Sequence, residues 1–125
     1  MTPPVFSIAT ASPAVLAKLG TAPTRLWLFG MAPQNEPRPY AVWQIVYGNP
    51  DNSLSCVPKE DLYGVQFDCY AKTASDAREV AEVLRDAYEA SYNQVTAWNG
   101  EDREPATLLY RVSFTVEFWT RRPAS

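Results

Sequence analysis

Asp61-Leu62-Tyr63-Gly64-Val65-Gln66-Phe67-Asp68-Cys69-Tyr70-Ala71-Lys72, running on into Thr73-Ala74-Ser75-Asp76-Ala77-Arg78-Glu79-Val80-Ala81, is the stretch on which the fold turns. Its first half alternates. Tyr63, Val65, Phe67, Cys69 and Ala71 point one way and Gln66, Asp68, Tyr70 and Lys72 the other, as in a strand with one buried face. Then the period changes. Ala77, Val80, Ala81, Leu84 and Tyr88 make one apolar stripe at helical spacing, with Arg78, Glu82, Arg85, Asp86 and Glu89 on the wet side. Thr73 or Ser75 supplies the N-cap, and Asp76 and Glu79 suit the positive end of the helix dipole. The pattern predicts a strand over Asp61–Lys72 and a helix to about Tyr92.

Working back from that pair, Tyr40–Tyr47 is a second strand, opened by Pro39, with both faces largely apolar. Arg25–Phe29 is a short aromatic strand between Pro23 and Gly30, joined to Tyr40 by a loop studded with Pro33, Pro37 and Pro39. The first twenty residues read as one broken helix. Pro4–Ala9 is apolar, and Ser12 (N-cap) and Pro13 (first helical position) restart it; Gly20 ends it, with Val15, Leu16 and Leu19 facing the core. Working forward, Val95–Trp98 is a short strand, Asn99-Gly100 a turn signal that Glu101–Pro105 extends into a loop. Leu108–Arg121 is a long last strand with Leu108, Tyr110, Val112, Phe114, Val116 and Phe118 on one face; Arg111, Ser113, Thr115, Glu117 and Trp119 lie on the other. The order α-β-β-β-α-β-β predicts an α+β fold, an antiparallel sheet of about five strands with two helices on one face. Phe67, Val65, Val112, Phe114, Val116 and Leu84 are its expected core. The second face carries Asp68, Gln66, Arg111, Thr115 and Glu117 together with Tyr70 and Trp119.

The chain has 125 residues, 46% hydrophobic and 20% charged, the make-up of one globular domain spanning 1–125. Eleven Lys and Arg against 14 Asp and Glu leave a formal charge of −3, and the pI is near 4.9. That balance argues against affinity built on nucleic-acid phosphates. With no histidine, the Ser–His and Cys–His nucleophile pairs and the imidazole metal ligands are excluded. Cys56 and Cys69 form no CxxC and are too few for a four-cysteine metal site; they read as free thiols, Cys69 in the core phase of its strand. Glu60-Asp61 and Glu101-Asp102 read as solvated loop acids rather than a catalytic pair, and no glycine-rich phosphate cradle exists. The N-terminal stretch lacks a cationic leader pattern, and Pro13 interrupts the longest uncharged run, so no membrane span is expected. The sequence therefore predicts a soluble, intracellular protein without catalytic residues, cofactor or metal.

Four Trp, seven Tyr and five Phe exceed what the core face of so small a sheet holds. Trp27 and Trp43 are read as core, whereas Tyr70 and Trp119 on the polar face suit a protein–protein contact. Gly48–Glu60, rich in Pro, Asn and Ser, is the longest irregular stretch; its length exceeds what a hairpin needs. Asn49, Pro50, Asp51, Asn52, Leu54 and Val57 are accordingly candidate contact residues, with Tyr70 and Trp119. Composition alone leaves open a small α+β adaptor that binds other proteins and has no catalytic activity.

Four motifs in order carry a family resemblance: Pro39-Tyr40-Ala41-Val42-Trp43-Gln44; Asp61-x-Tyr63-x-Val65-Gln66-Phe67-Asp68-x-Tyr70-Ala71; Trp98-Asn99-Gly100; and Tyr110-Arg111-x-Ser113-Phe114-x-Val116-x-Phe118-Trp119. With the acidic, alanine-rich helix among them, the chain from about Val5 to Arg121 resembles the tail completion proteins of long-tailed bacteriophages and prophages. That family includes tail-to-head joining proteins and is similar in fold to tail terminators. The resemblance implies a homo-oligomeric ring, commonly a hexamer, in the virion at the head-proximal end of the tail. Such a ring stops tail-tube polymerisation and joins the tail to the head connector or stopper. It implies contacts with the tail tube protein and with the tape-measure protein, and assembly in the host cytoplasm. DNA would pass through the ring without specific binding, and no catalytic motif is carried over.

Overall fold

The structure, a computed structural model, describes residues 2–33, 36–52 and 57–122. Helices α1 (Val5–Thr10) and α2 (Pro13–Leu19) precede strands β1 (Leu26–Leu28), β2 (Tyr40–Pro50) and β3 (Glu60–Ala71). Helix α3 (Ala74–Ala90) and strands β4 (Gln94–Arg103) and β5 (Tyr110–Arg121) complete the order. The α+β class holds, with one five-stranded sheet in the order β1-β2-β3-β5-β4.

The local signals act as their chemistry requires. Thr73 Oγ1 accepts from Asp76 N–H at 3.1 Å and starts α3; Ser12 caps α2, with Pro13 at its first position. The break between α1 and α2 makes three helices where two were expected. The sheet is mixed rather than antiparallel throughout, because β1 pairs with β2 in parallel, Leu26 opposite Ala41 and Leu28 opposite Trp43. Only three residues pair, so the proline-rich return to Tyr40 needs to travel back little more than one strand's short length.

Two further expectations are corrected. Gly48–Glu60 is not all loop: β2 runs through Pro50, with Asn49 opposite Leu62 and Pro50 opposite Asp61. Proline is tolerated there because β2 is an edge strand at that level. Asn99-Gly100 is not a turn either. Both lie within β4, where the register shifts and Gly100 takes φ +119, so the glycine serves a bulge. The Asn99 side chain donates to Thr115 Oγ1 at 2.7 Å, and the actual reversal is Glu104–Leu109. Leu108, expected in the last strand, sits in that reversal at φ 60 and is exposed.

The cross-strand rows Ala41–Cys69–Val112 and Trp43–Phe67–Phe114–Trp98 face the helices. Val65, Phe67, Leu84, Val112, Phe114 and Val116 are all buried, as the alternation predicts. Tyr88 is the keystone of the helix layer. Its ring meets Phe67 (centroids 4.9 Å) and Phe118 edge-on (5.4 Å), and its hydroxyl donates to Val5 O at 2.9 Å, tying α1 to α3. Leu16 is only half-buried; Val15 and Leu19 face the core.

Burial holds the Tyr88 phenol well above its ordinary value, and burial with Asp68 nearby pushes Tyr70 up to about 12. A phenol whose folded value lies above its unfolded value near 10 gives stability that is present below that pH and lost above it. The fold is therefore expected to hold its stability to about pH 10 and lose it progressively as pH rises further. Denaturant melts across that range, followed alongside tyrosinate absorbance, check this; Tyr70 and Tyr88 should ionise later than a free phenol, and stability that does not fall above about pH 10 would contradict it.

Candidate functional site: the open sheet face and a three-stranded arm

The helices cover one face of the sheet; the other, left open by them, still buries Asp68, Ser113 and Thr115. At its centre Tyr40 stacks on Tyr70 with centroids 5.0 Å apart. Beside them Asp68, only 8% exposed, accepts from Gln66 Nε2 at 3.2 Å and lies 3.8 Å from Arg111 Nη1. Arg111 grips Asp102 with two bonds, 3.1 and 2.7 Å. The two carboxylates thus share one guanidinium.

The two adjacent acid pairs sit on strands rather than loops, so neighbours point to opposite faces. Glu101 takes two bonds from Arg78 of α3, at 2.6 and 2.8 Å, while Asp102 takes Arg111 on the open face. Asp61 is held by both Nε and Nη2 of Arg122, at 2.9 and 2.8 Å, which keeps its carboxyl below the usual range. Among the described residues six cations, Lys18, Arg78, Arg85, Arg111, Arg121 and Arg122, have a carboxylate within 4 Å. A groove of about 500 Å³ between α3 and β4, floored by Trp98 and Val112, is flanked by Arg78 and Arg85, whose charges are already paired. Cys69 is buried, and burial pushes its thiol up, away from thiolate reactivity. Among the described residues no three of His, Cys, Asp and Glu come together as metal ligands, and no helix is long and apolar enough to cross a membrane.

The distinctive geometry lies at the far end of the sheet. β4 stops at Gln94, opposite Glu117, whereas β2, β3 and β5 continue as a three-stranded arm to Pro50, Asp61 and Thr120. Asn49, Leu62 and Trp119 form one cross-strand row on its open face, and Trp119 is 58% exposed. The base of the arm is braced. Tyr47 lies across Gly64 and its hydroxyl donates to Glu117 Oε2 at 2.6 Å; at the opposite end, the tip, Arg122 N–H donates to Lys59 O at 2.7 Å. A Cβ on Gly64 would overlap the Tyr47 ring, so glycine is required for the close approach. Gly64→Ala should displace that ring and its hydrogen bond, costing about 1–2 kcal/mol. In a double-mutant cycle, adding Tyr47→Ala should recover part of the loss; strictly additive costs would show that the ring does not meet residue 64.

Of the expected contact residues, Asn49 and Pro50 belong to β2, Asp51 and Asn52 are exposed just beyond it, and Val57 is 76% exposed. Leu54 and Cys56 lie outside the described residues. Trp119 joins Asn49 on the arm, but Tyr70 does not. It lies eight residues along β3 from Leu62 and is half-buried under Tyr40, because two tyrosines directly opposite on antiparallel strands stack. Trp43 packs against the core, while Trp27 is half-buried on the open face, paired in register with Val42. Tyr47 and Leu62 were missed as arm residues; the signal was Gly64, the one residue without a side chain in an otherwise bulky strand.

Comparison with known proteins gives a consistent picture. No curated protein sequence matches the chain. Among solved structures, a chain from the virion of a native gene transfer agent (GTA) particle superposes with a TM-score of 0.61 at 11% identity, covering 90% of this chain and 88% of that one. At that identity the likeness is one of fold. A family profile, tail completion protein gp17, matches residues 3–121, nearly the whole length. That match shows that the chain belongs to the tail completion protein gp17 family, structural components of phage tails.

Proposed function

We propose that the protein acts as one tail completion domain that assembles into a ring, six subunits being the expected number, at the head-proximal end of the tail. There it stops growth of the tail tube and joins the tail to the head connector or stopper. The single observation that carries this reading is the three-stranded arm, which ends in an exposed Trp119 and the 51–59 connection, a length the fold does not need. Exposed aromatics beside a long polar connection suit contact with unlike rings. Its partners are other copies of itself, the tail tube protein and the connector, with the tape-measure protein as a further neighbour. Asn49, Pro50, Asp51, Asn52, Leu54, Val57 and Trp119 are proposed to make the contacts, with Tyr70 on the more distant open face. The protein works in the virion, is assembled in the host cytoplasm, and is proposed to have no catalytic activity.

The test is genetic. Tails made without this chain should overrun their length and remain unjoined to heads, and supplying it should restore both; normal tails without it would refute the reading. DNA is proposed to pass through the ring without adhering, since the charge is −3 per chain and six of the cations are already paired. A gel shift near physiological salt is expected to show no complex at micromolar protein; tight, steeply salt-dependent binding would contradict this.

A further inference from the structure

Neither edge of the sheet is closed along its length. β1 reaches only Trp43, where Phe29 N–H adds a last bond to Trp43 O; from Gln44 to Pro50, β2 has no neighbour on that side among the described residues. The outer side of β4 is likewise bare over Gln94–Arg103. Open edges are templates for pairing, and proteins that must stay single guard them with charges. Here the charges stop short: in β4 they stand only at one end, at Glu101, Asp102 and Arg103. Gln44–Pro50 contains no charged residue and neither does Gln94–Gly100, while Ile45, Val46 and Trp98 are 41%, 44% and 51% exposed.

The backbone direction is suitable too. Ala41 N–H and Trp43 C=O both face β1, so alternation aims the N–H and C=O of Ile45 along the same edge, outward. Pro50, which has no N–H, marks where that edge ends. Because β2, β3, β5 and β4 alternate in direction, a neighbour rotated about an axis along the strands presents its β4 antiparallel to this β2. The free part of β2 reaches beyond the level where β4 stops, so the joint is staggered, as strands in a closing sheet are. Bulges at Val46 in β2 and at Thr96 and Asn99 in β4 bend both edges, which a sheet curving round a ring requires.

We propose that Gln44–Pro50 of one subunit pairs with β4 of a second copy, head to tail, so that the sheets of neighbouring subunits run together. This rests on the ring reading above and names the two unlike patches that a heterologous ring must have. Pairing β2 with β2 would instead close a dimer and leave β4 bare.

The test uses the full chain with Cys56→Ser, carrying one cysteine at Ile45 or Val46 and one at Thr96 or Ala97, and a short thiol-specific cross-linker. A cross-linked ladder ending at the ring's subunit number, with singly substituted chains giving none, is the expected result. Ile45→Pro removes an outward N–H where an edge strand tolerates proline, and Ile45→Lys places a charge there. Each should fold, by circular dichroism, yet raise the concentration for half-assembly at least about tenfold. Rings that form normally with both variants, or that cross-link only through Val46 to Val46, overturn the edge pairing and leave the ring standing. A parent chain that forms no ring, alone or on tails, overturns both.

Discussion

Phe114→Ala is expected to lower the unfolding free energy by about 3–5 kcal/mol, the cost of emptying a large aromatic site in a packed core. Phe114 is fully buried at the middle of β5, stacked on Phe67 with centroids 5.2 Å apart and flanked by Trp98 at 5.2 Å. Those neighbours belong to strands on either side of β5, so the site cannot collapse without drawing two strands inward. Denaturant melts at neutral pH measure the loss. A change below about 1 kcal/mol, typical of a surface position, would mean that β5 shows its other face to the helices.

The second large effect is on assembly. Asn49 and Pro50 pair with β3 and Asp51 N–H donates to Glu60 O at 2.9 Å, so the replaceable connection is 52–59. Joining Asp51 to Glu60 through Asn-Gly, the two-residue turn best suited to a hairpin, should leave stability within about 1–2 kcal/mol of the parent. Loop closure contributes little to that difference, since halving a loop changes it by only about 0.6 kcal/mol. Head joining, counted as complete particles by electron microscopy, should nevertheless fail. Full particle yield from a folded, shortened protein would leave the connection without a role in joining.

The central strand–helix pair was legible because its patterning is enforced by burial on one side. Val65, Phe67 and Cys69 cannot alternate with Gln66 and Asp68 by any other plan that buries the first set, and α3 shows its stripe for the same reason. Reading failed where geometry, not burial, decides. The parallel pairing of β1 rests on three residues whose apolar character suits either direction. Asn99-Gly100 has the chemistry of a turn, yet a glycine at positive φ serves a bulge equally well, and only the continuing pairing of Glu101 and Asp102 with β5 separates the two. The far half of β2 looked irregular because Gly, Asn and Pro are poor strand formers, and its place in the arm depends on β3 and β5 extending beside it. The candidate site was half visible. Trp119 was found from its phase in β5, whereas Tyr47 becomes meaningful only with Gly64 beneath it.

The most direct test of the account is to locate the protein in the particle. Electron microscopy of tails carrying a compact tag on this chain should show one ring of label at the head-proximal end, with a copy number fitting six subunits. Label along the tube, at the distal tip or nowhere on the tail would contradict it.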